Sequence, residues 1–228
     1  GALLFEIEGG DSDWIQSMVT LKDGSVAVTA YDEVTDGYVV KPIDVASQGY
    51  GKSAEAPYNA WNLYTGAGDY DFYYDNGTSV FGYNIDTETT DKILTWINCD
   101  VDNNNISSIT PLSDGRILCF SSDYSGDSVE YELITMTKTP YTEVAQKTTL
   151  TYACMYLDWN LRSQIIKFNK TNENYRIEVQ DYSEYNTNDD YTAGLTKLTT
   201  EIISGKVPDI IDTSSLPIRQ YAAKGLLE

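Results

Sequence analysis

The sequence predicts a mixed fold in which antiparallel β structure is followed by a small α/β segment. Up to about Thr139, short β-branched and aromatic runs are broken by Asp-Gly, Asn-Gly and Ser-Gly turns, which is typical of antiparallel strands. Beyond Pro140, strand-like and helix-like segments alternate, as they do around a parallel sheet. We therefore divide the chain into a β region at residues 1–145 and an α/β region at residues 146–228.

An internal repeat organises the β region. The run SMVTLKDGSVAVTAYD aligns with SITPLSDGRILCFSSD when Asp23 is placed on Asp114, which lies 91 residues later. The same offset places Leu3 on Leu94, so residues 3–7 are expected to form a strand. A third candidate unit, residues 70–96, lies between the two copies and carries an Asn-Gly hairpin turn.

The spacing of these units favours about three β-propeller-like blades, because a blade takes about 40 to 50 residues. An ordinary meander or sandwich is the alternative, since Asp-Gly turns occur in any hairpin. Three blades form an incomplete propeller with open edges, and such edges allow self-association between chains.

The α/β region predicts a βαβαβα order with right-handed crossovers and a small parallel sheet. Gly205 suits the end of the second helix, and Pro217 suits the first turn of the third. The expected elements are a strand at 150–157, a helix at 161–168, a strand at 176–182, a helix at 190–204, a strand at 208–213 and a helix reaching 227.

Four runs in this region carry a resemblance to a known family: FNK, RIEVQDYS, IISGKVPDIIDTSS and QYAAKGLLE. In this order they resemble the start of the first lobe of bacterial extracellular solute-binding proteins, family 1, of sugar ABC importers. The resemblance implies a partial periplasmic-binding-protein lobe in a secreted or lipid-anchored receptor at the cell surface. It also implies a small solute, a saccharide, as ligand, the importer's membrane subunits as partners, and no cofactor.

The chain begins in a strand-like run and ends directly after a helix-like one, which indicates a fragment of a longer protein. The second lobe of the family has no counterpart in the sequence, so we expect weak binding or none by this chain alone.

Two loops that follow strands of the α/β region form the candidate binding site, because open α/β sheets bind ligands beyond the carboxyl ends of their strands. Aromatic rings stack on sugar faces and short polar side chains bind sugar hydroxyls. The candidate ligand-binding residues are Tyr156, Asp158, Trp159, Thr213, Ser214 and Ser215. Alternatives remain open for two of them, since Trp159 could be a core residue and Ser214 a helix cap. Asp209, within the resembling run, is interpreted as structural.

Composition excludes several function classes. The formal net charge of −20 opposes binding to nucleic acid and anionic lipid. The chain has 0 His, which removes the Ser-His-Asp and Cys-His arrangements, so no enzyme and no catalytic residue is predicted. A glycan-degrading enzyme would need two facing carboxylates, and no sequence pattern requires such a pair.

No metal site is predicted either. The run from Asp100 to Asn105 superficially suggests a calcium loop, but it lacks the loop's Gly and terminal Glu and is interpreted as a polar loop between blades. The 3 Cys have no CxxC spacing, and buried free thiols are favoured over a Cys99–Cys119 pair. The alternative function is a β-propeller module that binds proteins or glycans without a role in transport.

Overall fold

The computed structural model describes residues 1–8, 14–33, 37–57, 60, 62–123, 128–140, 142 and 147–225. These residues form mostly antiparallel sheets with few helices, which confirms the predicted mixed class at that level. None of the sheets in the described ranges closes into a barrel. The chain divides into two compact units, Gly1–Leu94 with Asn105–Thr139 and Thr95–Asn104 with Pro140–Glu228.

The first unit contains three sheets, each built from strands that follow one another in the chain. The first sheet has the order β1-β2-β3-β4 with β5 on β3, the second has the order β6-β7-β8-β9, and the third has the order β10-β11-β12. The strands are β1 (Ile15–Thr20), β2 (Val26–Asp32), β3 (Gly37–Asp44), β4 (Gly49–Tyr50), β5 (Ala54–Glu55), β6 (Asn62–Ala67), β7 (Tyr70–Asp75), β8 (Ser79–Asn84), β9 (Thr89–Thr95), β10 (Ile106–Pro111), β11 (Ile117–Asp123) and β12 (Glu130–Met136).

The first and third sheets repeat each other residue by residue. Strand β1 pairs with β2 in the same register as β10 with β11, and both pairs shift register at the same position, after Ile15 and after Ile106. The turns also match, because Gly24 and Gly115 adopt φ of 85° and 83° in the left-handed region that favours glycine. The 91-residue repeat seen in the sequence is therefore a repeat of hairpin geometry.

Apolar side chains pack the first two sheets of this unit against each other face to face. Ala27 and Val40 of the first sheet belong to one core cluster with Phe72 and Tyr83 of the second. On the other side, β6 contacts β10 of the third sheet, as it contacts β1 of the first. The first strands of the three sheets are thus neighbours.

The second unit is built around a parallel sheet. Strand β13 (Thr148–Cys154) lies between β14 (Tyr175–Asp181) and β15 (Ile210–Ile211) and pairs with both in parallel. Helix α1 (Trp159–Thr171) packs on one face through Ile165 and Ile166. Helices α2 (Ala193–Ile203) and α3 (Ile218–Ala223) pack on the other.

The edge of β14 that faces away from β13 is closed by two asparagine side chains. Asn169 on α1 accepts from the Ile177 amide at 2.7 Å and donates to the Ile177 carbonyl at 2.9 Å. Asn98 does the same at Val179, two residues along, with distances of 2.9 and 3.2 Å. Alternate residues of an edge strand point their polar groups outward, so each side-chain amide takes the place of a neighbouring strand.

This arrangement corrects the predicted division of the chain. Residues 95–104 were assigned to the β region, yet they belong to the second unit. Besides Asn98, Asp100 accepts from the Asn169 side chain at 3.1 Å and Asp102 accepts from Ser163 at 3.2 Å. The acidic run that superficially suggests a calcium loop therefore binds α1.

Several predicted element bounds also change. Residues 3–7 form no strand, and β6 was missed. The strand expected at 208–213 contains only Ile210–Ile211, and α2 begins at Ala193 instead of residue 190. The helix expected to reach 227 ends at Ala223, and residues 226–228 lie outside the described ranges.

Candidate functional site

The two predicted loops lie at the same edge of the parallel sheet. Ala153 on β13 pairs with Ile211 on β15, and the Asp212 amide donates to the Ala153 carbonyl at 2.8 Å. The loop after β13 and the loop after β15 therefore leave neighbouring strands at their carboxyl ends. This is the edge at which open α/β sheets bind ligands.

Two aromatic side chains of the first loop face solvent. Tyr156 and Trp159 are each 65% exposed, so Trp159 is not a core residue. The Asn186 side chain, itself buried, donates to the Tyr156 hydroxyl at 3.4 Å, and its oxygen accepts from the Gly194 amide at 2.9 Å. One of the two rings is thus connected to the start of α2.

Asp158 has a structural role in the same loop. Its Oδ1 accepts from the backbone amides of Asn160 and Leu161, at 2.9 and 3.1 Å, and so caps the N-terminus of α1. These two hydrogen bonds place Trp159 as the first residue of the helix.

The second loop presents short polar side chains. Thr213, Ser214 and Ser215 are all exposed. The residue that precedes α3 is Pro217, and no side chain caps that helix, so Ser214 is not its cap. The Ser214 amide instead donates to Asp212 at 2.9 Å within the loop.

Carboxylates make the electrostatic field at this edge negative. Burial, the neighbouring Cys154 and the charges of Asp212, Asp158 and Asp181 together raise the pKa of Tyr152 to about 12. Each of these acids lies at or just beyond the carboxyl end of a different strand. The site should therefore favour neutral or cationic solutes over anions.

Sequence reasoning missed Asp181, which connects two of the loops. Its carboxylate accepts from the Ser183 hydroxyl at 2.6 Å and from the Leu157 amide at 3.3 Å. It is the last residue of β14 and is buried. An acid at the predicted end of a strand in a parallel sheet was the available signal.

Other features of this unit lie outside the carboxyl edge. An apolar groove of about 400 Å³ runs along α1 beside Ile177 and is lined by Leu161 and Phe168. Asp209 accepts from the amide and hydroxyl of Thr151 at 2.7 and 2.8 Å, which fixes the start of the last strand. Among the described residues no group of His, Cys, Asp and Glu could hold a metal ion. The three cysteines are free.

Comparisons with known proteins found no matching family model, no matching curated protein and no matching solved structure. In the part of the chain that the structure describes, no helix has the length and apolarity needed to cross a membrane.

Proposed function

We propose that the protein is a solute-binding receptor whose site is the carboxyl edge of the parallel sheet. The observation that carries the proposal is the pair of exposed aromatic rings of Tyr156, in the first loop, and Trp159, at the start of α1, which lie beside an exposed loop of hydroxyl groups. Large aromatic rings usually lie at least partly buried, so two exposed ones at a ligand-binding edge favour a binding role.

The solute class follows from the charges. Three carboxylates act on this edge, so a phosphorylated or otherwise anionic ligand is disfavoured. A neutral carbohydrate offers apolar ring faces for Tyr156 and Trp159 and hydroxyls for Thr213, Ser214 and Ser215. A carbohydrate is therefore the proposed ligand.

The biological setting is proposed from the resemblance of residues 148–228 to sugar-importer receptors. In that setting the second unit is part of a binding-protein lobe, exposed on the cell surface, and it passes its solute to the membrane subunits of an ABC importer. The first unit is proposed to be part of a β-propeller. The adjacent first strands β1, β6 and β10 and the face-to-face packing of the first two sheets support this architecture.

A titration of the protein with neutral mono- and oligosaccharides, followed by Trp fluorescence and thermal shift, tests the proposal. One loop edge buries little of a ligand, so we expect dissociation constants on the order of 1 mM. Trp159→Ala and Tyr156→Ala should each abolish the response. Glucose 6-phosphate and other anionic sugars should bind more weakly than their neutral counterparts.

Matched controls are available because the first unit carries equally exposed aromatic residues. Trp14 is 81% exposed and Tyr131 is 65% exposed. Trp14→Ala and Tyr131→Ala should leave the saccharide response unchanged. A response that is equal in all four variants, or absent with every saccharide, would contradict the proposed site.

A second candidate function, interaction through the first unit, is favoured by one face of the third sheet. Phe120 and Tyr131 stack there with ring centroids 5.7 Å apart, and Leu133 is 67% exposed. At the equivalent position of the first sheet, Val40 is 0% exposed because the second sheet covers it. A glycan or protein ligand of this face would respond to Tyr131→Ala and not to Trp159→Ala.

A further inference from the structure

In the part of the chain that the structure describes, the third sheet of the first unit has no counterpart of the outer strand that the other two sheets have. In the first and second sheets the third strand is followed outward by another, β4 or β9. Strand β12 occupies the third position in its sheet, and among the described residues no strand pairs with its outer edge. Four consecutive residues of β12, beginning at Glu130, are exposed. The repeat therefore leaves one position empty, next to β12.

A segment with the sequence pattern of that missing strand lies unpaired elsewhere in the same unit. Residues 1–8 contain no strand, and Leu3 and Leu4 are 81% and 82% exposed. The 91-residue offset places residues 1–4, with Leu3 on Leu94, on the end of β9, and it places residues 5–8 on the 3-10 helix Trp96–Cys99. Strand β9 is the outer strand of the second sheet, so residues 1–4 carry the pattern of the end of an outer strand.

In the second unit, side-chain amides close the open edge of a sheet. Asn98 and Asn169 satisfy the outward amides and carbonyls of β14 in place of a strand. On the faces of the sheet beside the outer edge of β12, Tyr131 and Leu133 add exposed apolar surface. Such an edge is a template for strand addition.

We propose that residues 1–8 of a second copy of this chain add to β12 as the fourth strand of the third sheet, in a reciprocal exchange between two copies. Among the described residues the chain's own segment does not pair with β12, and a reciprocal exchange fills both empty positions in a closed dimer. The exchange buries Leu3 and Leu4, which are otherwise almost fully exposed. This inference does not depend on the proposed solute site.

Charge makes the dimer dependent on salt. The segment contributes Glu6 and Glu8, and β12 contributes Glu130 and Glu132, within a chain of net charge −20. Salt screens repulsion between exposed charges. Dimerisation should therefore strengthen as the salt concentration rises, in contrast to association through opposite charges.

The experiment is size-exclusion chromatography with light scattering on the full chain, over a concentration series at low and high salt. The expected species has twice the 25.5 kDa mass of the chain. Leu3→Pro with Leu4→Pro in one chain should make it monomeric, because neighbouring amides of a strand point in opposite directions and one of the two must face β12. The matched control, Leu3→Val with Leu4→Val, keeps both amides and should remain dimeric.

Hydrogen exchange at residues 130–136 identifies the contact. Protection of the β12 amides that point away from β11 should be present in the dimer and lost in the proline variant, while circular dichroism shows that both remain folded. A monomeric wild-type protein overturns the proposal. If the β12 amides of that monomer lose protection in the proline variant, residues 1–8 of the same chain form the fourth strand. A dimer that survives the proline substitutions also overturns it, since the contact then lies elsewhere.

Discussion

Replacing Asn98 by alanine tests whether a single side chain closes the edge of β14. The Asn98 amide makes two hydrogen bonds to the backbone of Val179, and the Arg176 guanidinium donates to the Asn98 carbonyl at 2.8 Å. Alanine keeps that backbone carbonyl but removes both side-chain bonds. Val179 is only 3% exposed, so water cannot readily replace them.

The expected loss follows from the number of bonds. Each hydrogen bond contributes a net ~0.5–1.5 kcal/mol, so two contribute about 1–3 kcal/mol to the stability of the second unit. Asn169→Ala should cost more, because Asn169 is 2% exposed and also donates to Asp100. Asn98→Asp keeps an acceptor for the Val179 amide but places a carboxylate oxygen, in place of the donor, against the Val179 carbonyl. Because these two oxygens repel each other, the loss of unfolding free energy should exceed half of the loss caused by Asn98→Ala.

Urea unfolding measures the change in the global free energy of unfolding, and hydrogen exchange of residues 175–181 measures the local change at β14. The matched control is Asn160→Ala, an exposed asparagine in the first turn of α1, which should change stability by less than about 0.5 kcal/mol. If Asn98→Ala leaves the exchange of the Val179 amide and the unfolding free energy at wild-type values, the proposed role of residues 95–104 in the second unit is wrong.

Three further predictions concern the backbone, the cysteines and acid. Gly194→Ala should lower the melting temperature of the second unit, because a Cβ at Gly194 would overlap the Tyr182 carbonyl oxygen; Ala193→Gly, next to it, is the control. A thiol reagent should label one cysteine of the native chain, the exposed Cys99, and all three cysteines after unfolding. Fast labelling of a second cysteine in the native chain would contradict the burial of Cys119 and Cys154. Hydrogen bonds from Thr151 lower the pKa of Asp209 below 3.8 in the folded state, so their stabilisation is present above that pH and lost as the pH falls through the lowered value. The stability difference between wild type and Asp209→Asn should accordingly shrink below pH 3.8, and a difference independent of pH would refute it.

Within the first unit, the sequence predicted hairpins better than sheets. The Asp-Gly turns at Gly24 and Gly115 need left-handed φ, and the flanking apolar alternation then determines the register, so the repeat was visible in the residues themselves. Strand β6 was missed although it has the same position in its sheet as β1. Its sequence, NLYTGA, carries little apolar alternation, and it becomes a strand through its pairing with β7.

At the candidate site the sequence predicted which residues would share an edge, because the carboxyl ends of parallel strands meet on one side. Whether Trp159 faced the core or solvent stayed open. The structure decided this through Asp158, whose cap on α1 sets the helix start and leaves the ring outside. Asp181 entered the site for a similar reason, since only the pairing of β14 with β13 brings it beside the first loop.

By itself, the sequence determined the local features of this protein: the Asp-Gly hairpins, the alternation of strands and helices after Pro140, and the acidic charge. These depend on residues within a few positions of one another, where φ preferences and side-chain periodicity act directly. Only the tertiary structure decided that Asn98 closes the edge of β14, 81 residues away in sequence, and that no strand among the described residues pairs with the outer edge of β12. A buried amide binds whichever backbone groups the folded chain leaves without partners, and those groups exist only once the sheets have formed.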